Sequence, residues 1–151
     1  MQYFAYSQKA FVYKYVVMLS DIDQFQHMSF ANYTKLMFLA ADALFVSCLD
    51  QNFLCKKRLR LINARMQFKR QTIAGDHILI KLNTAGLTET QFSLLHTFVI
   101  EGSGELVGLG RQTYELTPLM ERHPERIFDT PGIKNVLESI VVKEETLLYQ
   151  Y

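Results

Sequence analysis

A chain of 151 residues, 49% hydrophobic and 21% charged, is long enough for one domain whose core buries about 70% of the surface exposed on unfolding. Its eleven Phe and eight Tyr exclude the intrinsically disordered class. Sixteen Lys and Arg against fifteen Asp and Glu leave a formal charge of +1, so no global field draws the protein to nucleic acid or an anionic membrane.

The first nineteen residues are apolar and aromatic but interrupted by Gln8, Lys9 and Lys14, with no basic start and no small-residue cleavage site. No run reaches the roughly eighteen apolar residues a bilayer span needs. The expectation is a cytoplasmic protein with no membrane partner. Phe11–Leu19, "FVYKYVVML", is rich in β-branched and aromatic residues and predicts a strand. It runs into "SDIDQFQHMSFANY", Ser20–Tyr33, where two aspartates and a histidine crowd seven residues of a connecting loop.

From Ala31 to Leu49 there is no Gly or Pro, and Lys35 and Asp42 are the only charges. The pattern predicts a helix apolar nearly all round, which other structure must wrap on most sides. Within it Cys48, with Cys55 beyond, forms no zinc or redox motif; both read as packing thiols in a reducing compartment.

The second half changes period. Ile62, Ala64, Met66 and Phe68 alternate with Asn63, Arg65, Gln67 and Lys69, the signature of a half-buried strand. The turn "AGDH" precedes a strand at Ile78–Asn83, "AGLTET" separates it from Phe92–Ile100, and "EGSGE" is a hairpin turn into Leu106–Leu116. Pro118 ends the sheet, and a short helix is expected near Ile133–Ile140 after Pro131 and Gly132. One strand, one long helix and four consecutive antiparallel strands predict an α+β domain spanning residues 1–151, a strongly curved sheet wrapped around a central helix.

With that order in place, "DIDQFQHMSFANY" resembles the signature of the hot-dog-fold thioesterases of the 4-hydroxybenzoyl-CoA thioesterase type: an Asp-x-Asp pair, a His four residues on, and a Tyr ten residues after the second Asp. "RQTIAGDHILIKL" is similar to the family's strand, Gly-Asp turn and strand, and the resemblance covers Phe11 to Thr117. It implies a hot-dog fold and hydrolysis of acyl thioesters carried by coenzyme A or acyl-carrier protein. It also implies a homodimer or homotetramer, with no metal or other cofactor. By the same resemblance Asp23 is the catalytic carboxylate, the backbone N–H of Phe30 at the helix start polarises the thioester carbonyl, and His27 and Asn32 assist. The layout makes chemical sense: hydrolysis needs a base or carboxylate nucleophile beside fixed donors for the oxyanion, and a helix N-terminus offers unpaired N–H groups.

Each residue also has a plainer reading. Asp23 can bond nearby backbone amides, and His27 a main-chain carbonyl. Asp21 reads as a loop-shaping residue and Tyr33 as core. Asp21, Asp23 and His27 together could be read as metal ligands, but no fourth ligand accompanies them. Arg58, Arg60, Lys69 and Arg70 are candidates for the phosphates of coenzyme A, against the reading of a solvated surface. His77 and His96 carry no motif and read as structural. Two rival functions stay open: dehydration or hydration of β-hydroxyacyl thioesters with His27 as base, and acyl-thioester binding without chemistry. The latter is motivated by Ser29, Phe30 and Leu39, where the chain departs from the family pattern.

Overall fold

The computed structural model describes residues 3–6, 10–48, 57–118 and 131–142. The chain runs β1 (Tyr3–Tyr6), β2 (Ala10–Val16), α1 (Phe30–Cys48), β3 (Lys57–Phe68), β4 (His77–Ala85), β5 (Gln91–Ile100), β6 (Leu106–Pro118) and α2 (Pro131–Ser139). The strands form one antiparallel sheet in the order β1-β2-β4-β5-β6-β3. One face packs on α1, the expected architecture.

Three boundaries depart from the sequence reading. A short strand, β1, adds to β2 through the register Tyr3↔Tyr13 to Tyr6↔Ala10. Strand β2 stops at Val16 rather than Leu19, because the buried Asp21 carboxylate accepts hydrogen bonds from the Tyr15 hydroxyl at 2.6 Å and the Met18 amide at 2.8 Å. Those bonds turn Leu19–Asp21 into a single 3-10 turn. Strand β3 begins at Lys57, so Arg58 and Arg60 belong to the ladder. The Cys55 reading and the tail beyond residue 142 lie outside the described residues.

The core lies between α1 and the sheet. Leu36, Met37, Ala40 and Leu44 of the helix meet Ile78, Ile80 and Leu82 of β4, Phe92, Leu94 and Phe98 of β5, and Tyr114 of β6. Each Leu or Ile buried in this way contributes about 1.5–3 kcal/mol. Helix α2, which starts on Pro131 where the missing N–H costs nothing, adds Ile133 and Leu137 to the core. Two glycines on the helix-facing side of β6 let methionines lie flat on the sheet: a Cβ at Gly108 would stand 2.5 Å from Met66 Cε, and one at Gly110 would collide with the Met37 sulfur. The helix is not wrapped on every side. Ala31, Lys35, Phe38, Asp42 and Val46 form one exposed stripe along its length.

Candidate active site

The loop between β2 and α1 is a miniature hairpin. Ile22 and Met28 form an antiparallel bridge, and the Asp23 amide donates to the His27 carbonyl at 2.9 Å. Gln26 takes a left-handed φ of 68° at the bend. Asp23 Oδ1 accepts the Phe25 amide at 2.8 Å and the His27 amide at 3.5 Å, whereas Oδ2 accepts no hydrogen bond among the described residues. One carboxylate oxygen therefore holds the turn and the other is uncommitted, so the structural and the chemical readings of Asp23 coexist.

The loop leans on the turn before β4. The Val17 amide donates to the Asp76 carbonyl at 2.9 Å, the Gly75 amide to the Val17 carbonyl at 2.8 Å, and the Met28 amide to the Thr72 carbonyl at 3.2 Å. Gly75, at a φ of 93°, makes that turn possible without strain. The buried Tyr33 hydroxyl and Thr72 hydroxyl are 2.8 Å apart and pin the first helical turn to the same support.

Ser29 caps α1: its hydroxyl and carbonyl accept the Asn32 amide at 3.4 and 3.1 Å, and its carbonyl also accepts the Tyr33 amide at 3.2 Å. The amides of Phe30 and Ala31 have no acceptor among the described residues. They are the free donors expected at a helix start, at the positive end of its dipole.

A cavity of about 330 Å³ opens at this point. Asp23, His27 and Phe30 line it from the loop and helix start, Phe68 from the end of β3, and Arg70 and Gln71 from the segment after it. Three rings make its apolar wall: Phe30 meets Phe68 edge to face at 5.7 Å between centroids, and Tyr33 meets Phe68 at 4.9 Å. Arg70 is paired with Glu105 of the β5–β6 hairpin at 3.3 Å.

Four of the eight sequence-derived candidates thus stand together or adjacent: Asp23, His27, Phe30 and Arg70, with exposed Lys69 next in the chain. Asn32 does not line the cavity; its side-chain amide donates to the Asp21 carbonyl at 2.7 Å, which makes it a brace for the loop. Arg60 pairs with Glu115 in the ladder, eight residues along β3 from Phe68 or roughly 26 Å, and Arg58 lies farther still, so neither joins the Arg70 group within one chain. Asp21, Asp23 and His27 do not converge on a metal, since Asp21 faces Tyr15 and Met18; among the described residues no group of three His, Cys, Asp or Glu does. Sequence reasoning missed Phe68, Gln71 and Phe25, and took Tyr33 as core only. Phe68 had a signal, as the last helix-facing residue of an alternating strand; Phe25 and Gln71 had none.

His96 is fully buried against Gln112, with its Nε2 2.9 Å from Gln112 Oε1. Burial lowers its pKa to about 3, so the ring is neutral and structural. His77 sits on the outer surface, 4.0 Å from Glu101, which also binds Lys14 at 3.0 Å.

No described helix is long and apolar enough to cross a membrane. Solved structures share the architecture. A 1,4-dihydroxy-2-naphthoyl-CoA thioesterase from Synechocystis is 20% identical, with 85% of this chain and 95% of that one covered at a TM-score of 0.75. The dynemicin thioesterase is 15% identical, over 88% and 98%, at 0.79. A protein from Staphylococcus aureus in complex with CoA is 17% identical, over 86% and 85%, at 0.73. No curated protein matches the chain. The family model described as the thioesterase-like superfamily matches residues 17–127; the chain belongs to that superfamily, and its fold is the hot-dog fold.

Proposed function

We propose that this member of the thioesterase-like superfamily hydrolyses acyl thioesters carried on coenzyme A, with Asp23 as the reacting carboxylate. One observation carries the reading: Asp23, with an uncommitted oxygen, and Phe30, with an unpartnered amide, line the same cavity, whose other wall is aromatic. An acyl group lies against Phe30, Tyr33 and Phe68. Its carbonyl oxygen takes the helix-start amides, which stabilise the negative charge that grows as the carbonyl carbon becomes tetrahedral. Asp23 either removes a proton from the attacking water or attacks the carbonyl carbon itself, giving an anhydride that water then opens. By either route the C–S bond breaks, the sulfur leaves as thiol after protonation, and the acid is released.

Arg70, which lines the cavity, and the exposed Lys69 next to it in the chain are the proposed partners of the coenzyme A phosphates. The dehydratase reading is weaker, because the His27 ring makes no hydrogen bond to Asp23 that would form a His-Asp pair. We further place the protein in the cytoplasm, in keeping with two cysteines outside any disulfide motif, and pair two copies through the twelve-residue edge of β3, which no strand covers among the described residues.

The test is thiol release from short, long and aromatic acyl-CoAs by the native protein and Asp23→Asn, with folding of both checked by circular dichroism. The expected outcome is turnover that falls at least about 100-fold in the variant. Absence of turnover on every thioester, or turnover indifferent to the substitution, defeats the reading.

A further inference from the structure

The β5–β6 hairpin carries two glutamates with different neighbours, and one of them meets the cation of the cavity. Glu101 serves β2 and β4: its carboxylate is 3.0 Å from Lys14 Nζ, and its amide donates to the His77 carbonyl at 2.9 Å. Glu105 serves Arg70, with its Oε2 3.3 Å from Arg70 Nη1. Its main chain is fixed, since the Glu105 carbonyl accepts the Ile100 amide at 2.9 Å and the Glu105 amide donates to the Ser103 hydroxyl at 3.2 Å.

Arg70 is anchored to the strand that follows this hairpin. The amides of Lys69 and Arg70 both donate to the Val107 carbonyl, at 2.9 and 3.0 Å, so two residues oppose one as in a β-bulge. A bulge re-aims side chains at the end of a ladder. Here Arg70 lines the cavity, and Glu105, two residues before Val107, stands behind it without being a lining residue.

The contact between the two side chains is loose. They are 37% and 58% exposed, and no hydrogen bond from the guanidinium to any described residue accompanies the ion pair. Its N–H donors remain available to another anion. An exposed pair of this kind shifts an equilibrium by a factor of no more than about five. A terminal phosphate, with close to two charges and three acceptor oxygens, outcompetes a carboxylate with one charge and two oxygens.

Resting on the coenzyme A reading of the cavity, we propose that Glu105 is a stand-in anion, which holds Arg70 at the cavity wall in the empty site and yields it to a phosphate of the incoming thioester. Glu105 touches neither substrate nor reacting atoms; it is a positioning residue that acts through Arg70. Its net effect is to weaken binding of the carrier, because the competing charge is retained while no directed hydrogen bond orders the guanidinium. When the product leaves, Arg70 returns to Glu105, and release of coenzyme A is eased.

Calorimetric titration of coenzyme A into the native protein, Glu105→Gln, Arg70→Gln and the double variant tests this, with thermal melts to confirm that all four fold. Glu105→Gln is expected to lower the dissociation constant about two- to fivefold, and Arg70→Gln to raise it at least about tenfold. In the Arg70→Gln background the gain from Glu105→Gln is expected to vanish, because the cation through which it acts is gone. Weaker binding by Glu105→Gln would overturn the proposal and make Glu105 a simple support for Arg70. A gain that persists without Arg70 would overturn it too, as the general effect of removing a negative charge. Thiol release by the same native protein separates the two readings: turnover that depends on Asp23, with no tightening in Glu105→Gln, defeats the role of Glu105 alone, whereas a folded native protein that does not bind coenzyme A defeats both.

Discussion

The side-chain amide of Asn32 donates to the main-chain carbonyl of Asp21 at 2.7 Å, tying the first turn of α1 to the loop that carries Asp23. The bond fixes the helix-start amides relative to the carboxylate without touching the cavity. Asn32→Ala removes it at a cost of about 1 kcal/mol, a drop of roughly 3 °C in melting temperature. Thiol release is expected to fall, yet by less than in Asp23→Asn; a variant as inactive as Asp23→Asn would instead make Asn32 a catalytic residue.

Asp21 and Asp23 are two residues apart and do different work. Asp21 is buried and accepts from Tyr15 and Met18, so Asp21→Leu leaves a hydroxyl and an amide without their acceptor. We expect a loss of stability of about 2–4 kcal/mol, read in urea melts, whereas Asp23→Asn stays within about 1 kcal/mol because its carboxamide oxygen can still accept the turn amides. Equal destabilisation by the two would erase the distinction.

Gly110 has no room for a side chain. In Gly110→Ala the new methyl meets the Met37 sulfur and, at 3.3 Å, the Met66 sulfur. Overpacking of this sort costs about 1–3 kcal/mol. Adding Met37→Ala clears the collision, so the double variant is expected to lose less stability than the sum of its parts. Chemical denaturation of the four-member cycle measures that coupling.

His96 sets a pH dependence whose sign follows from its burial. Its pKa is lowered to about 3 in the fold, below the usual 6.5, so between those limits the unfolded chain binds more protons than the folded one. Stability from this group is therefore complete above about pH 6.5 and declines as the pH falls toward 3, with a slope of at most about 1.4 kcal/mol per pH unit. Melting temperatures of the native protein and His96→Gln between pH 7.5 and 4.5 should converge on the acid side. A constant gap across that range would exclude the His96 contribution.

The curved sheet and its helix were legible because their signals are local: period two in β3 at Ile62–Phe68, and nineteen residues without Gly or Pro in α1. The same held for Asp23, His27 and Phe30, which are near neighbours in the chain and stay so in the cavity. What the sequence left open depended on distance along the chain. Arg58 and Arg60 on the one hand and Lys69 and Arg70 on the other read as equally plausible phosphate partners, and an extended strand separates the first pair from the second. Asn32 read as an assisting residue until the fold offered it the Asp21 carbonyl, and β1 carries only four residues, too few for a pattern.

That small strand leaves the sheet with unlike edges. With β1 covering most of β2, the sheet of the described residues ends in two unlike borders, four residues long on one side and twelve on the other. Head-to-tail addition, which would match the short border to the long one, leaves most of the longer ladder unsatisfied at every step. Like-with-like joining of the long border satisfies it at once and leaves only the short one outside. Any joining of copies through sheet edges is thereby biased toward a finite pair over an open-ended fibre, a safeguard against runaway growth set by a short strand rather than by surface charge.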